Sequence, residues 1–235
     1  MTAVRADPSG DRFGLVFALL VSTFVLGAVV TDPRGQAVVL VACVVALLLV
    51  LRVTAARRAA WSLLPAAFCL ASFGVAVAAL VAPGDVTAAA LALWIAVVVA
   101  VTILVILRRV LTHPTVSMQT VFGGLSAYLL IGFLFTGLYS AVAHLGPESF
   151  FADGKPVNSS TLQYFSFVTM TTTGYGDFTP AGNGPRSLAV LEALLGQIFL
   201  VTLVARLVAM FGRRRPDVPH PSATGSGPDV PAGDG

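Results

Sequence analysis

The chain has 235 residues, of which 57% are apolar and only 11% charged, with a mean hydropathy of +0.90. A soluble domain carries roughly a quarter charged residues, so this composition excludes an ordinary water-soluble globular enzyme and points to a chain that lives in a bilayer. The net charge of +3 comes from 14 basic and 11 acidic residues scattered between apolar runs, which excludes a nucleic-acid patch.

Uncharged runs follow one another almost from the start, and a membrane span needs about 20 apolar residues. The first run covers residues 13–30; no small-residue cleavage site follows it, so it reads as a span and not as a signal peptide. A turn at Thr31–Gly35 leads to the second run, 37–51, closed by Arg52, Arg57 and Arg58. The third run, 59–82, holds Pro65 as a potential kink, and a tight turn at 82–85 precedes the fourth run, 86–107. Residues 111–119 read as an interfacial linker and residues 121–145 as the fifth span. The segment 146–160 reads as an exposed loop, whereas 161–172 is apolar but too short to cross and is expected to re-enter the membrane. Residues 187–211 form the sixth span. Arg213, Arg214 and Arg215 end it, and a Pro/Gly-rich tail follows that is expected to be disordered.

The arginines orient this layout. With both termini in the cytoplasm, ten basic residues lie inside, three (Arg34, Lys155 and Arg186) lie outside, and Arg206 sits near the inner end of the sixth span. The positive-inside rule favours that topology. Cys43 and Cys69 stand inside apolar runs without CxxC spacing, so neither a disulfide framework nor a zinc site is expected. His113, His144 and His220 are isolated and read as surface residues. Arg206 is expected to snorkel. Trp61 suits the inner interface, and Trp94 suits packing.

The stretch Thr172-Thr173-Gly174-Tyr175-Gly176-Asp177 carries the chemistry. Irregular backbone at membrane depth is tolerated only when buried in protein or lining a watery pore. Glycines on both sides of Tyr175 permit dihedrals that side chains forbid, and carbonyls turned toward one axis can replace the hydration shell of a bare cation. This segment resembles the selectivity filter of tetrameric potassium channels, and its setting of span, short helix, loop and span is similar to their pore domain. The likeness covers roughly residues 121–211 and is closest to small bacterial six-span members without a voltage sensor.

The resemblance implies an all-α membrane protein with six transmembrane helices and a re-entrant pore helix plus filter loop between helices five and six. It divides the chain into an N-terminus (1–12), a four-helix module (13–109), a linker (110–119), a pore domain (120–212) and a tail (213–235). It implies K+ sites at the carbonyls of Thr172, Thr173, Gly174 and Tyr175 with the Thr172 hydroxyl, an outer mouth at Gly176, and Asp177 bracing the filter from behind. Residues 160–171 would be the pore helix, with Ser159 or Ser160 as its N-cap; Asn158 also heads a glycosylation sequon that a bacterial source leaves unused. Thr173 stands where Val or Ile is usual. Val168 stands where some members carry a glutamate that holds the filter aspartate, so Tyr164 is expected to bond Asp177 instead. Gly196 is read either as a gating hinge or as a packing glycine; packing is the reading for Gly123, Gly124, Gly132 and Gly137.

Glu192 lies about one and a half turns into the sixth run, where a carboxylate is costly. The resemblance implies that it faces the back of the pore helix near Ser166 or Thr169, where it is read as a hydrogen-bonding brace, with proton sensing and proximity to outer water as alternatives. The fourth run has no basic residue, so steep voltage gating is not expected, and the tail is too short for a ligand-binding domain.

The overall expectation is a homotetrameric potassium channel of the bacterial plasma membrane, conducting passively. Nothing points to an enzyme, an organic cofactor, a nucleic-acid partner or a small-molecule substrate. A non-selective cation channel, a potassium symporter subunit and a scaffold with a dead pore are the rival readings.

Overall fold

A computed structural model of the chain describes residues 11–29, 33–54, 63–112 and 118–211. Those residues form seven α-helices: α1 (Asp11–Val29), α2 (Pro33–Thr54), α3 (Leu63–Val81), α4 (Asp85–Thr112), α5 (Met118–Leu145), α6 (Ser159–Met170) and α7 (Asn183–Phe211). Trp61, His113, His220, the terminal arms and the arginines at 213–215 lie outside the described residues.

Much of α4 is Val and Ile, β-branched residues that in water favour strands. Lipid reverses the preference, because a helix satisfies every backbone N–H and C=O within its own segment. Three helices are long and apolar enough to cross a membrane: Asp85–Val110, Thr120–Leu145 and Asn183–Ala209. Shorter apolar stretches run through Phe13–Val29, Val38–Leu51 and Ala67–Val81.

Helix ends differ from the sequence-based limits in a consistent way. Pro33, expected in a turn, is the first residue of α2, and α7 begins at Asn183 with Pro185 in its first turn. Proline is tolerated there because first-turn N–H groups have no intrahelical partner. α4 runs on past Arg108 and Arg109 to Thr112, where basic side chains suit the negative end of the helix dipole.

α4 lies along α5, α1 and α2 flank that pair, and α3 rests on α4. Val16 and Leu20 of α1, Leu47 and Val50 of α2, Val98 and Ile106 of α4 and Leu130 of α5 are fully buried in the common core. Gly137 lets α4 and α5 approach closely: a Cβ there would sit 3.0 Å from the Ala92 carbonyl oxygen and 3.3 Å from Ala96 Cβ. Trp94 packs on Phe68 and donates to Ser72 Oγ at 2.9 Å. The short α6 is held between α1, α5 and α7. α7 is the exception to this burial. Only 11% of its apolar stretch is covered, against 56% for α5.

Candidate functional site

α6 starts at a cap that the sequence reading placed one or two residues late. Asn158, not Ser159 or Ser160, is the N-cap: its side-chain oxygen accepts from Thr161 N at 2.9 Å, and its own N–H donates to Thr161 Oγ1 at 3.0 Å. This reciprocal pair satisfies two donors at the helix start. Ser160 instead donates to the Ala28 carbonyl of α1 at 2.9 Å, and the buried Gln163 donates to the Phe24 carbonyl at 2.8 Å. Phe24 and Phe167 meet edge to face at 4.6 Å. The first helix of the chain is thus fastened directly to α6.

At its other end α6 unwinds without stranding its amides. Thr172 N–H bonds the Thr169 carbonyl at 2.9 Å, and the Val168 carbonyl accepts from Thr173 N at 2.9 Å and Gly174 N at 3.4 Å. The chain then takes positive φ at every second residue: Thr172 (57°), Gly174 (56°) and Gly176 (79°). Glycine adopts such angles freely; Thr172 does so at a cost. Thr173 Oγ1 pairs with Thr171 Oγ1 at 2.9 Å, and Gln197 of α7 donates to Thr172 Oγ1 at 3.3 Å. Residues 171–177 are exposed on the single chain.

Aromatic rings flank this loop. Tyr175, 71% exposed, stacks on Tyr164 with ring planes 9° apart and centroids at 6.4 Å. Tyr164 meets the edge of Phe178 at 5.8 Å, and Phe178 meets Phe151 at 5.0 Å. Partial desolvation, and after it a hydrogen bond and charge from Asp177, hold the Tyr164 phenol above its ordinary pKa. Lys155 lies over the Phe178 ring at 5.0 Å and donates to the Asp177 carbonyl. The loop after the site pairs with the loop before α6 through Ala152 N–H to the Thr179 carbonyl at 2.9 Å and Ala181 N–H to the Phe150 carbonyl at 2.8 Å. The segment 146–160 is therefore not simply exposed: Phe150 and Phe151 are buried with Phe165 and Tyr139 beneath the site.

α7 passes behind. Gly196 faces Met170, the last residue of α6. Glu192, one turn earlier, is fully buried; Tyr139 OH donates to its Oε2 at 2.5 Å, and Ser166 Oγ lies 2.5 Å from its Oε1. The structure so sets Tyr164 on α6, and Glu192 and Gly196 on α7, the two helices that flank residues 171–177. It adds Tyr139, Gln163, Gln197 and Lys155, which carried no sequence signal beyond their type.

Residues 127–213 match the family model described as ion channel. Among curated proteins, the chain is 34% identical over 86 residues to the inward rectifier potassium channel Kirbac3.1 of Paramagnetospirillum magnetotacticum, covering 34% of this chain and 29% of that protein. It is 42% identical over 55 residues to probable potassium channel protein 2 of Methanocaldococcus jannaschii, covering 22% of this chain and 16% of that protein. Residues 127–213 are thus similar to ion channels, potassium channels among them. The chain is also 47% identical over 51 residues to protein LctB of Geobacillus stearothermophilus, covering 22% of this chain and 37% of that protein. It therefore spans well under half the length of these relatives. No solved structure matches it. The matched family is one of ion channels, and among the described residues three helices are long and apolar enough to cross a membrane.

Proposed function

We propose that the protein is a homotetrameric, potassium-selective channel that conducts passively. The carbonyls of Thr172, Thr173, Gly174 and Tyr175, with the Thr172 hydroxyl, form the ion sites, and Gly176 forms the outer mouth. The observation that carries this reading is the alternation of positive φ at Thr172, Gly174 and Gly176 in an exposed, uncharged loop. In an ordinary extended strand successive carbonyls point to opposite sides; reversing the sign of φ at every second residue turns them to one side. A row of oxygens on one side can take over a cation's hydration shell. One chain supplies one wall, so four chains close the ring.

The bare face of α7 supports the same assembly. Val190, Leu194, Ile198 and Val201 are exposed on the single chain, and so is the filter backbone, which lipid would not tolerate. Neighbouring subunits and the pore cover both. In this reading α6 is the re-entrant pore helix, and its carbonyl end, carrying about half a negative charge, favours a cation in the cavity beneath the filter. α1 to α5 and α7 are six spans in the cell membrane, with cytoplasmic termini set by the arginines. Tyr164 and Asp177 stiffen the filter from outside, with Tyr175 stacked between subunit wall and pore mouth.

Purified protein reconstituted into liposomes tests the assignment. A channel of this kind has a mass of about four times 24.3 kDa before reconstitution, and it lets potassium-loaded vesicles build a diffusion potential read by a voltage-sensitive dye. A monomer that leaves the dye silent refutes it.

A further inference from the structure

We infer that Glu192 is held as a neutral carboxylic acid whose proton ties α7 to the pore helix, so that conduction is lost when that proton is removed. The inference rests on counting hydrogens. Three oxygen–oxygen contacts meet at this point: Tyr139 Oη to Glu192 Oε2 at 2.5 Å, Ser166 Oγ to Glu192 Oε1 at 2.5 Å, and Ser166 Oγ to the Gly132 carbonyl at 2.8 Å. Each needs one hydrogen, because two lone-pair oxygens at such separations repel. Tyr139 supplies one and Ser166 one, since a hydroxyl carries a single proton. The Gly132 carbonyl has none to give, and it already accepts from Thr136 Oγ1 at 2.8 Å. The third hydrogen belongs to the Glu192 carboxyl.

The surroundings agree. Glu192 has no exposed surface on its own chain, so a neighbouring subunit cannot bring a cation to it. Among the described residues no Lys, Arg or His pairs with it, and an unpaired buried carboxylate neutralises itself by keeping its proton. Of the titratable groups on the helices packed against it, Tyr139 and Tyr128 of α5 face it, whereas His144 bonds the Ser140 carbonyl and Tyr164 of α6 stacks on Tyr175; α6 presents Ser166 to it and carries no charged side chain. The carboxyl acts on the loop 172–177 through packing alone. Glu192 and Gly196 stand one turn apart on the face of α7 that runs along the pore helix from Ser166 to Met170, and Gln197 continues it to the Thr172 hydroxyl. Ionisation would leave Glu192 Oε1 and the Gly132 carbonyl competing for the one Ser166 hydrogen and would open that seam behind the filter.

The inference builds on the channel reading but can fail separately from it. Infrared spectroscopy of the protein in lipid reads the carbonyl stretch of a protonated carboxylic acid, which a carboxylate lacks. The band is expected at neutral pH, lost in Glu192→Gln and shifted upward in Ser166→Ala as the acid loses its acceptor. Either variant suffices should the other not assemble. In parallel, potassium flux of the wild type is expected to fall severalfold between neutral and strongly alkaline pH. Glu192→Gln, a neutral isostere that can donate to Ser166, is expected to hold its flux level over that range. Absence of the band, a band indifferent to both substitutions, or an alkaline loss of flux that Glu192→Gln retains would overturn the inference. A wild type silent at every pH with the band intact would sink the channel reading and leave the protonated acid standing.

Discussion

Gly196 of α7 lies against the carbonyl group of Met170, the last residue of α6: a Cβ at that glycine would fall 2.9 Å from the carbonyl oxygen and 2.7 Å from Met170 Cγ. The side chain could turn aside, but the backbone oxygen cannot. Gly196→Ala is therefore expected to push α7 off the end of α6 and to cost about 1–3 kcal/mol, the usual penalty of overpacking. Thermal dissociation of the purified assembly would register it, together with a loss of potassium flux. Gly196 is also a candidate gating hinge, the other reading of its sequence position. Altered opening kinetics with no loss of stability would favour the hinge over the packing role.

How far this site was legible can be judged from its residues. The loop at 172–177 announced itself because Gly174, Tyr175 and Gly176 are adjacent in sequence, and their backbone freedom is local. Ser166 as a neighbour of Glu192 was also within reach, since the family resemblance sets the last helix against the back of the short one, near Ser166 or Thr169. Tyr139 was not, for it sits in an uncharged span where nothing marks one aromatic residue from the next. The docking of α1 on Gln163 was hidden for the same reason: contacts 139 residues apart leave no local pattern. Asn158 was misread as a bystander because three adjacent polar residues all make good caps, and only backbone geometry chooses among them. Phe150 and Phe151 were lost in a loop whose Gly, Pro and Asp content suggested exposure, while pairing with residues 179–181 buried them.

The pore-helix cap gives a direct stability test. Asn158→Ala removes the acceptor for Thr161 N–H and should cost about 1 kcal/mol, as cap removal does elsewhere. Asn158→Asp keeps an acceptor and should be close to neutral. Chemical denaturation of the assembly in detergent distinguishes them; equal stability of the two variants would show that the cap contributes nothing.

Tyr164 contributes a ring and a hydroxyl to the filter, and two substitutions separate them. Tyr164→Phe keeps the stack on Tyr175 and removes the hydroxyl beside Asp177. It should leave assembly intact while the conducting filter collapses faster in low potassium, seen as accelerated decay of flux. Tyr164→Leu loses the stack as well and should abolish sustained flux. Identical decay in wild type and Tyr164→Phe would remove the hydroxyl from the account.

Voltage should act only weakly. Each elementary charge moved across the membrane is worth roughly 2.3 kcal/mol per 100 mV, and between Val86 and Leu107 the fourth helix carries no basic residue. Depolarising steps in planar bilayers are therefore expected to give a shallow conductance–voltage relation. A steep, saturating curve requiring several gating charges would point to a sensor elsewhere in the chain.

The central claim is that carbonyls around Tyr175 select potassium, and the reversal potential under bi-ionic conditions measures it directly. With potassium on one side of a planar bilayer and sodium on the other, current through the reconstituted channel should reverse far toward the potassium equilibrium potential and follow it as the potassium concentration is varied. Reversal near zero at equal concentrations, unmoved by the exchange of one cation for the other, would contradict the claim.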